Sequence, residues 1–228
     1  MVIAISMQKL NTMFAGLADS YYLAALPYLA PAMKPMNLGT LQCFALIAQY
    51  SLVTPTLTAS YWVVGLATRL CQELGISEEA TIGLGSGRQP FNALEIDMRR
   101  RLFWIITSME MGLAHSLGRP SALGTSSDHI DVKFFEPVDD CFITSSGITA
   151  HVLPSNKKYV SIHFIKMRLL QAEMRRKLYL KKRPEPKDDQ DQWFVTVQQK
   201  LKDWLSASPK DDTGSGLTGT WSVRFSFL

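Results

Sequence analysis

Residues 93–117, ALEIDMRRRLFWIITSMEMGLAHSL, decide how the chain folds. Met98, Leu102, Ile105, Met109 and Leu113 recur at helical spacing, and Phe103 and Trp104 widen the apolar face. Glu95 precedes Arg99, and Asp97 precedes Arg101, by four residues with the acid first, the favourable order for ion pairs along a helix. A long helix with a broad buried face is predicted, and the rest of the chain must supply what covers it.

Toward the N-terminus three more helical patterns stand ahead of this one. Leu10, Met13, Phe14, Leu17, Tyr21 and Ala25 share one face of a helix that stops before Pro27. From about Thr40, Leu41, Phe44, Ala45, Ala48 and Leu52 form a second, with Pro55 beyond its end. Val63, Leu66, Ala67, Leu70 and Leu74 form a third, and Gly75 stands where a left-handed cap is needed. The second and third are predicted to lie antiparallel across a tight turn.

Toward the C-terminus, Gly118 to Asn156 has little periodicity and much Ser, Thr, Gly and Asp. A segment of that length without structure of its own is often functional. A fifth helix begins near Lys157, carries Ile162, Ile165, Leu169, Leu170, Met174 and Leu178, and ends before Pro184. A sixth spans about 188–206, with Asp188, Asp189 and Asp191 in its first turn and Trp193, Val197, Leu201, Trp204 and Leu205 along its face. No strand alternation of useful length is found. The predicted class is all-α, a multi-helix array with a long irregular loop after the fourth helix: residues 1–135 as its core, 136–156 as the loop, and 157–228 as a continuation whose apolar end, Trp221 to Leu228, reads as cut short.

The composition agrees with a globular chain. Of 228 residues 46% are apolar and only 19% charged, which excludes intrinsic disorder. Cys43, Cys71 and Cys141 are too few and too widely spaced for a disulfide framework or a paired zinc motif, so a reducing compartment is expected. The start, MVIAISMQKL, lacks the basic n-region of a signal peptide. Residues 35–68 carry no charge, but Asn37, Gln42, Gln49 and Pro55 interrupt them, so two buried helices are expected and no membrane span.

The net charge of +4 conceals an uneven distribution. Residues 1–156 hold 9 Lys/Arg against 12 Asp/Glu, residues 157–187 hold 11 against 2, and residues 188–228 hold 4 against 6. Two readings of the basic helix stand open: a surface for an acidic partner through Lys157, Lys158, Arg175, Arg176, Lys181, Lys182 and Arg183, or a solvated face whose terminal cluster complements the helix dipole.

Catalytic chemistry finds little support. His115, His129, His151 and His163 lack zinc-ligand spacing and read as surface or loop residues. Ser126, Asp128 and His129 are neighbours in sequence only, without a nucleophile elbow. Gly83, Gly85 and Gly87 have no preceding strand and no following Lys-Ser/Thr pair, so a phosphate loop is not expected. No enzyme is expected, and no cofactor for this chain.

One combination is more specific. Leu41-Gln42, then Ala67, Leu70, Leu74 and Gly75, then Glu95, Asp97, Arg99, Arg100, Arg101 and Trp104, then Gly118-Arg119-Pro120, and finally Asp128 to Val132 occur in this order. Together they resemble the middle regulatory region of the fungal-specific zinc-cluster transcription factors, the xylanolytic-activator regulatory domain, well over about residues 10–135 and loosely beyond. Glu110 stands where that family usually has Asp, and Phe103 where Trp is common. The resemblance implies a non-catalytic regulatory domain of a nuclear transcription regulator. It also implies a binuclear zinc cluster of six cysteines that binds DNA, which the three cysteines here cannot form. DNA contact is therefore expected to be indirect, with a homodimer or other transcription proteins as partners, and the chain is expected to be a fragment, a truncated form, or a protein without its own DNA reader. The alternative is a helical interaction protein that dimerises with or modulates a full-length relative.

Within the motif the expected role is structural. Arg99, Arg101 and Arg119 offer planar donor forks that Glu95, Asp97 and Glu110 can accept. Arg119 is expected to reach Glu110 or Glu95 and fix the exit of the helix, which Pro120 prevents from continuing.

Overall fold

The computed structural model describes residues 1–10, 12–54, 59–85, 89–119, 121–122, 130–145, 147–149, 152–179 and 190–208. By its internal contacts the chain divides into two compact units, Met1–Leu153 and Pro154–Leu228.

The first unit contains α1 (Val2–Leu10), α2 (Ala15–Ala25), α3 (Leu29–Met33), α4 (Leu38–Val53), α5 (Ser60–Glu73), α6 (Glu79–Ile82) and α7 (Ala93–Ser116). A two-stranded antiparallel hairpin follows, β1 (Ile143–Thr144) with β2 (Gly147–Ile148). The all-α expectation holds, since this hairpin is the sheet found among the described residues. Helix α4 packs on α5 and α7, α5 packs on α7, α1 packs on α2 and α4, and α6 and β1 lie against α7.

Local chemistry sets the boundaries. Asn37 and Thr40 form a reciprocal capping box: each side-chain oxygen accepts from the other's backbone N–H, at 3.1 and 3.2 Å. Asn92 caps α7 by accepting from the N–H of Glu95 at 2.9 Å. Helices α5 and α7 end alike. Gly75 and Gly118 both take φ near +63°, and the two N–H groups after each helix return to carbonyls of its last turn: Gly75 to Gln72, Ile76 to Cys71, Gly118 to His115 and Arg119 to Ala114. Ile76 is buried beneath the first of these caps.

Two predicted faces need correction. Leu17, Tyr21 and Phe14 are about half exposed and Met13 is 86% exposed, while Ala18 and Tyr22 are buried. Small side chains decide this. Ala4 and Ala18 are completely buried where α1 packs on α2, and Tyr22 stacks on Tyr50 at 4.0 Å, so α2 turns its bulkier stripe outward. In α7 the buried set is Leu102, Phe103, Trp104, Ile106, Met111 and Ala114 with Asp97, Arg99, Thr107 and Glu110, wider than the stripe predicted from Met98 to Leu113. A helix packed by α4, α5, α6 and β1 has no single buried side.

The segment expected to be irregular carries little regular structure where it is described, but it contributes to the core. Val132, Phe135, Val138 and Ile143 are buried, and a short 3-10 turn at Asp140–Phe142 leads into the hairpin.

The second unit contains α8 (Asn156–Tyr179) and α9 (Gln192–Ser206), packed on each other. Helix α9 starts later than predicted because Asp191 acts as its cap, accepting from the N–H of Trp193 at 2.8 Å. His163 is buried rather than on the surface: it stacks on Trp204 at 4.4 Å, and the Trp204 indole N–H donates to the His163 carbonyl at 2.9 Å. Burial, aided by Lys166, holds its pKa below the ordinary histidine value. Lys200 closes the pair with both oxygens of Glu173, at 2.8 and 2.9 Å.

Candidate functional site

Arg99, Arg100 and Arg101 are successive residues of α7, so each points about 100° around the helix from the last. They reach three different parts of the unit. Arg99 lies 3.8 Å above the ring of Phe91, donates to the Leu74 carbonyl at the end of α5 at 3.4 Å, and pairs with Glu95 at 3.9 Å. Arg100 forks onto both carboxylate oxygens of Glu79 in α6. Arg101 donates to Asp97 at 2.6 Å and to Asp140 at 2.7 Å.

The carboxylates then extend the network to the following segment. Glu79 accepts the backbone N–H of Lys133 at 3.0 Å, and its own N–H donates to Asp131 at 3.1 Å. Burial alone would raise the Glu79 pKa, but the Arg100 fork and the Lys133 N–H outweigh it and hold the carboxyl below its ordinary value. Asp97, 2% exposed, accepts the N–H of Glu136 at 2.6 Å. Trp104 donates its indole N–H to the Lys133 carbonyl at 3.0 Å and stacks on Phe134 at 4.8 Å. The residues from Asp131 to Glu136 are thus strapped across α6 and α7 by the buried carboxylate of Asp97, the partly buried carboxylate of Glu79 and one indole.

The expected pairs Glu95–Arg99 and Asp97–Arg101 are both present. Glu79, Asp131, Asp140 and the backbone of Lys133 and Glu136 were not legible from spacing, because they lie far from the arginine run in sequence and α6 is a single turn. A different arrangement meets Glu110. Its carboxylate accepts the Ser121 hydroxyl at 2.5 Å and the Ala122 N–H at 2.7 Å, while Arg119 lies 5.3 Å above the ring of Tyr61. Loop residues, rather than Arg119, thus hold Glu110 in this structure. Pro120 lies outside the described residues, as do Lys181, Lys182, Arg183, His129 and His151. Lys157 is exposed on α8, and Lys158, Arg175 and Arg176 are half-buried.

Beside Glu110 a pocket of about 340 Å³ opens along α5, lined by Tyr61, Trp62, Gly65, Thr68, Arg69, Gln72 and Ala122 among others. Trp62 is 66% exposed, and the Thr68 hydroxyl donates to the Val64 carbonyl at 2.9 Å.

The three cysteines lie on separate elements. Cys71 is buried in α5 with its thiol pushed up to about 12 by burial, Cys43 is on α4, and Cys141 is exposed. Among the described residues no group of three metal-binding side chains occurs. Nor, among them, is any helix long and apolar enough to cross a membrane.

Comparison with known proteins brings these features together. The family described as "Fungal specific transcription factor domain" matches residues 4–206. The chain is 26% identical over 175 residues to Pyrimidine pathway regulatory protein 1 of Saccharomyces cerevisiae, covering 73% of this chain and 18% of that protein. It is 30% identical over 161 residues to Positive regulator of purine utilization of Emericella nidulans, covering 60% and 15%. To the Fusaridione A cluster transcription factor fsdR of Fusarium heterosporum it is 25% identical over 172 residues, covering 75% and 30%. The chain therefore spans less than a third of each of these relatives. No solved structure matches.

Proposed function

Because the chain belongs to the fungal specific transcription factor domain family, we propose that it is the regulatory domain of a transcription regulator, working by contact with other proteins in the nucleus. Its role is regulation of transcription rather than catalysis. The match over residues 4–206 is the observation that carries this reading. The structure supports it through what the matched charges do. Arg99, Arg100, Arg101, Glu79 and Asp97 bind one another and the backbone, which makes them a frame and leaves the outer faces for partners.

Zinc and direct DNA contact belong, on this reading, to the six-cysteine cluster of the family, which Cys43, Cys71 and Cys141 do not supply. The partners are other transcription proteins or a second copy.

The test is a fusion of the full chain to an unrelated DNA-binding module in a fungal reporter strain. Transcription is expected to change several-fold relative to the module alone, with the fusion in the nucleus. Reporter output identical with and without the chain, from both a silent and an active promoter, would overturn the reading.

A further inference from the structure

Glu110 is 4% exposed, yet both hydrogen-bond donors on its carboxylate, the Ser121 hydroxyl and the Ala122 N–H, are neutral. Among the described residues no cation pairs with it, whereas Glu79 and Asp97 each have an arginine. A buried carboxylate is costly without an opposite charge, and two donors occupy about half of its acceptor sites. Its remaining capacity lies beside the pocket along α5, which Glu110 itself lines.

The other walls narrow the occupant. Tyr61 and Trp62 offer ring faces that attract a cation; Arg119 already covers Tyr61, and Trp62 is largely exposed. A ligand with only positive charge would meet Arg69, and one with only negative charge would meet Glu110. A volume of about 340 Å³ lies at the small end of ligand pockets. We propose that this pocket binds a small zwitterion of amino-acid size, its ammonium toward Glu110 and its carboxylate toward Arg69. The proposal goes beyond the regulatory role. Its test reads binding to the purified chain, so it can fail while the reporter result stands.

The standard amino acids, used one at a time as probes, are titrated into the full chain by calorimetry, with thermal unfolding in parallel. At least one is expected to bind and to raise Tm. Glu110→Gln keeps an acceptor oxygen but removes the charge, and should weaken that amino acid by roughly tenfold or more. Arg69→Gln should weaken it too while leaving the matching decarboxylated amine unaffected. Should Glu110→Gln fail to give the wild-type circular dichroism spectrum, Trp62→Ala, at an exposed position, must show the same loss. The proposal is overturned if no amino acid binds, if the folded Glu110→Gln binds equally well, or if the amine binds wild type as tightly as the amino acid.

Discussion

Asp97 joins two elements with one carboxylate, taking Arg101 on one oxygen and the N–H of Glu136 on the other, both at 2.6 Å. Asp97→Ala leaves the Glu136 N–H without its acceptor while Arg101 keeps Asp140, so it should cost about 1–3 kcal/mol in urea unfolding, more than loss of an exposed pair. Glu79 adds a pH dependence. Its folded pKa lies below the ordinary carboxyl value of about 4.3, so its contribution is complete above that value and is lost as pH falls through the folded pKa. Urea midpoints between neutral and acidic pH should therefore fall less steeply in Glu79→Gln than in wild type. An equal slope in both would show that Glu79 is not one of the groups responsible.

At the scale of elements, the outward stripe of α2 makes a prediction that reverses the periodic reading. Leu17→Ser should shift stability by less than about 1 kcal/mol, whereas Ala18→Leu should cost about 1–3 kcal/mol by overpacking the contact with α1, both measurable by denaturant midpoint. Gly118→Ala meets open space but keeps a φ of +63°, so only the backbone penalty of about 1–2 kcal/mol is expected. Position and type of the long helices were legible because apolar spacing and Gly75 are local signals. Which face of α2 is buried was not, since Ala4 and Ala18 act through close approach and score weakly as hydrophobes. The strap from Asp131 to Glu136 was invisible for another reason: its bonds are backbone N–H groups meeting carboxylates 39 and 54 residues away. The pocket beside Glu110 was equally hidden, because it arises only where α5, α7 and the residues after Arg119 converge.

Across the whole molecule, charge divides as the two units do. Residues 1–153 hold 9 Lys/Arg against 12 Asp/Glu, and residues 154–228 hold 15 against 8, so the total of +4 combines −3 with +7. Retention on a cation exchanger should follow the second unit: Lys157 and Lys158 changed together to Gln should lower the eluting salt concentration, and unchanged elution would show that α8 does not govern it. The arginine run has a consequence of a different kind. Because Arg99, Arg100 and Arg101 are placed by rotation about one axis, one residue added between Asn92 and Arg99 would swing all three guanidiniums by about 100° and break contacts with α5, α6 and Asp140 at once. The same insertion after Gly118 would leave them untouched. Reading frame length is therefore fixed in the first two turns of α7 and loose beyond its cap, so insertions among relatives should gather after Gly118.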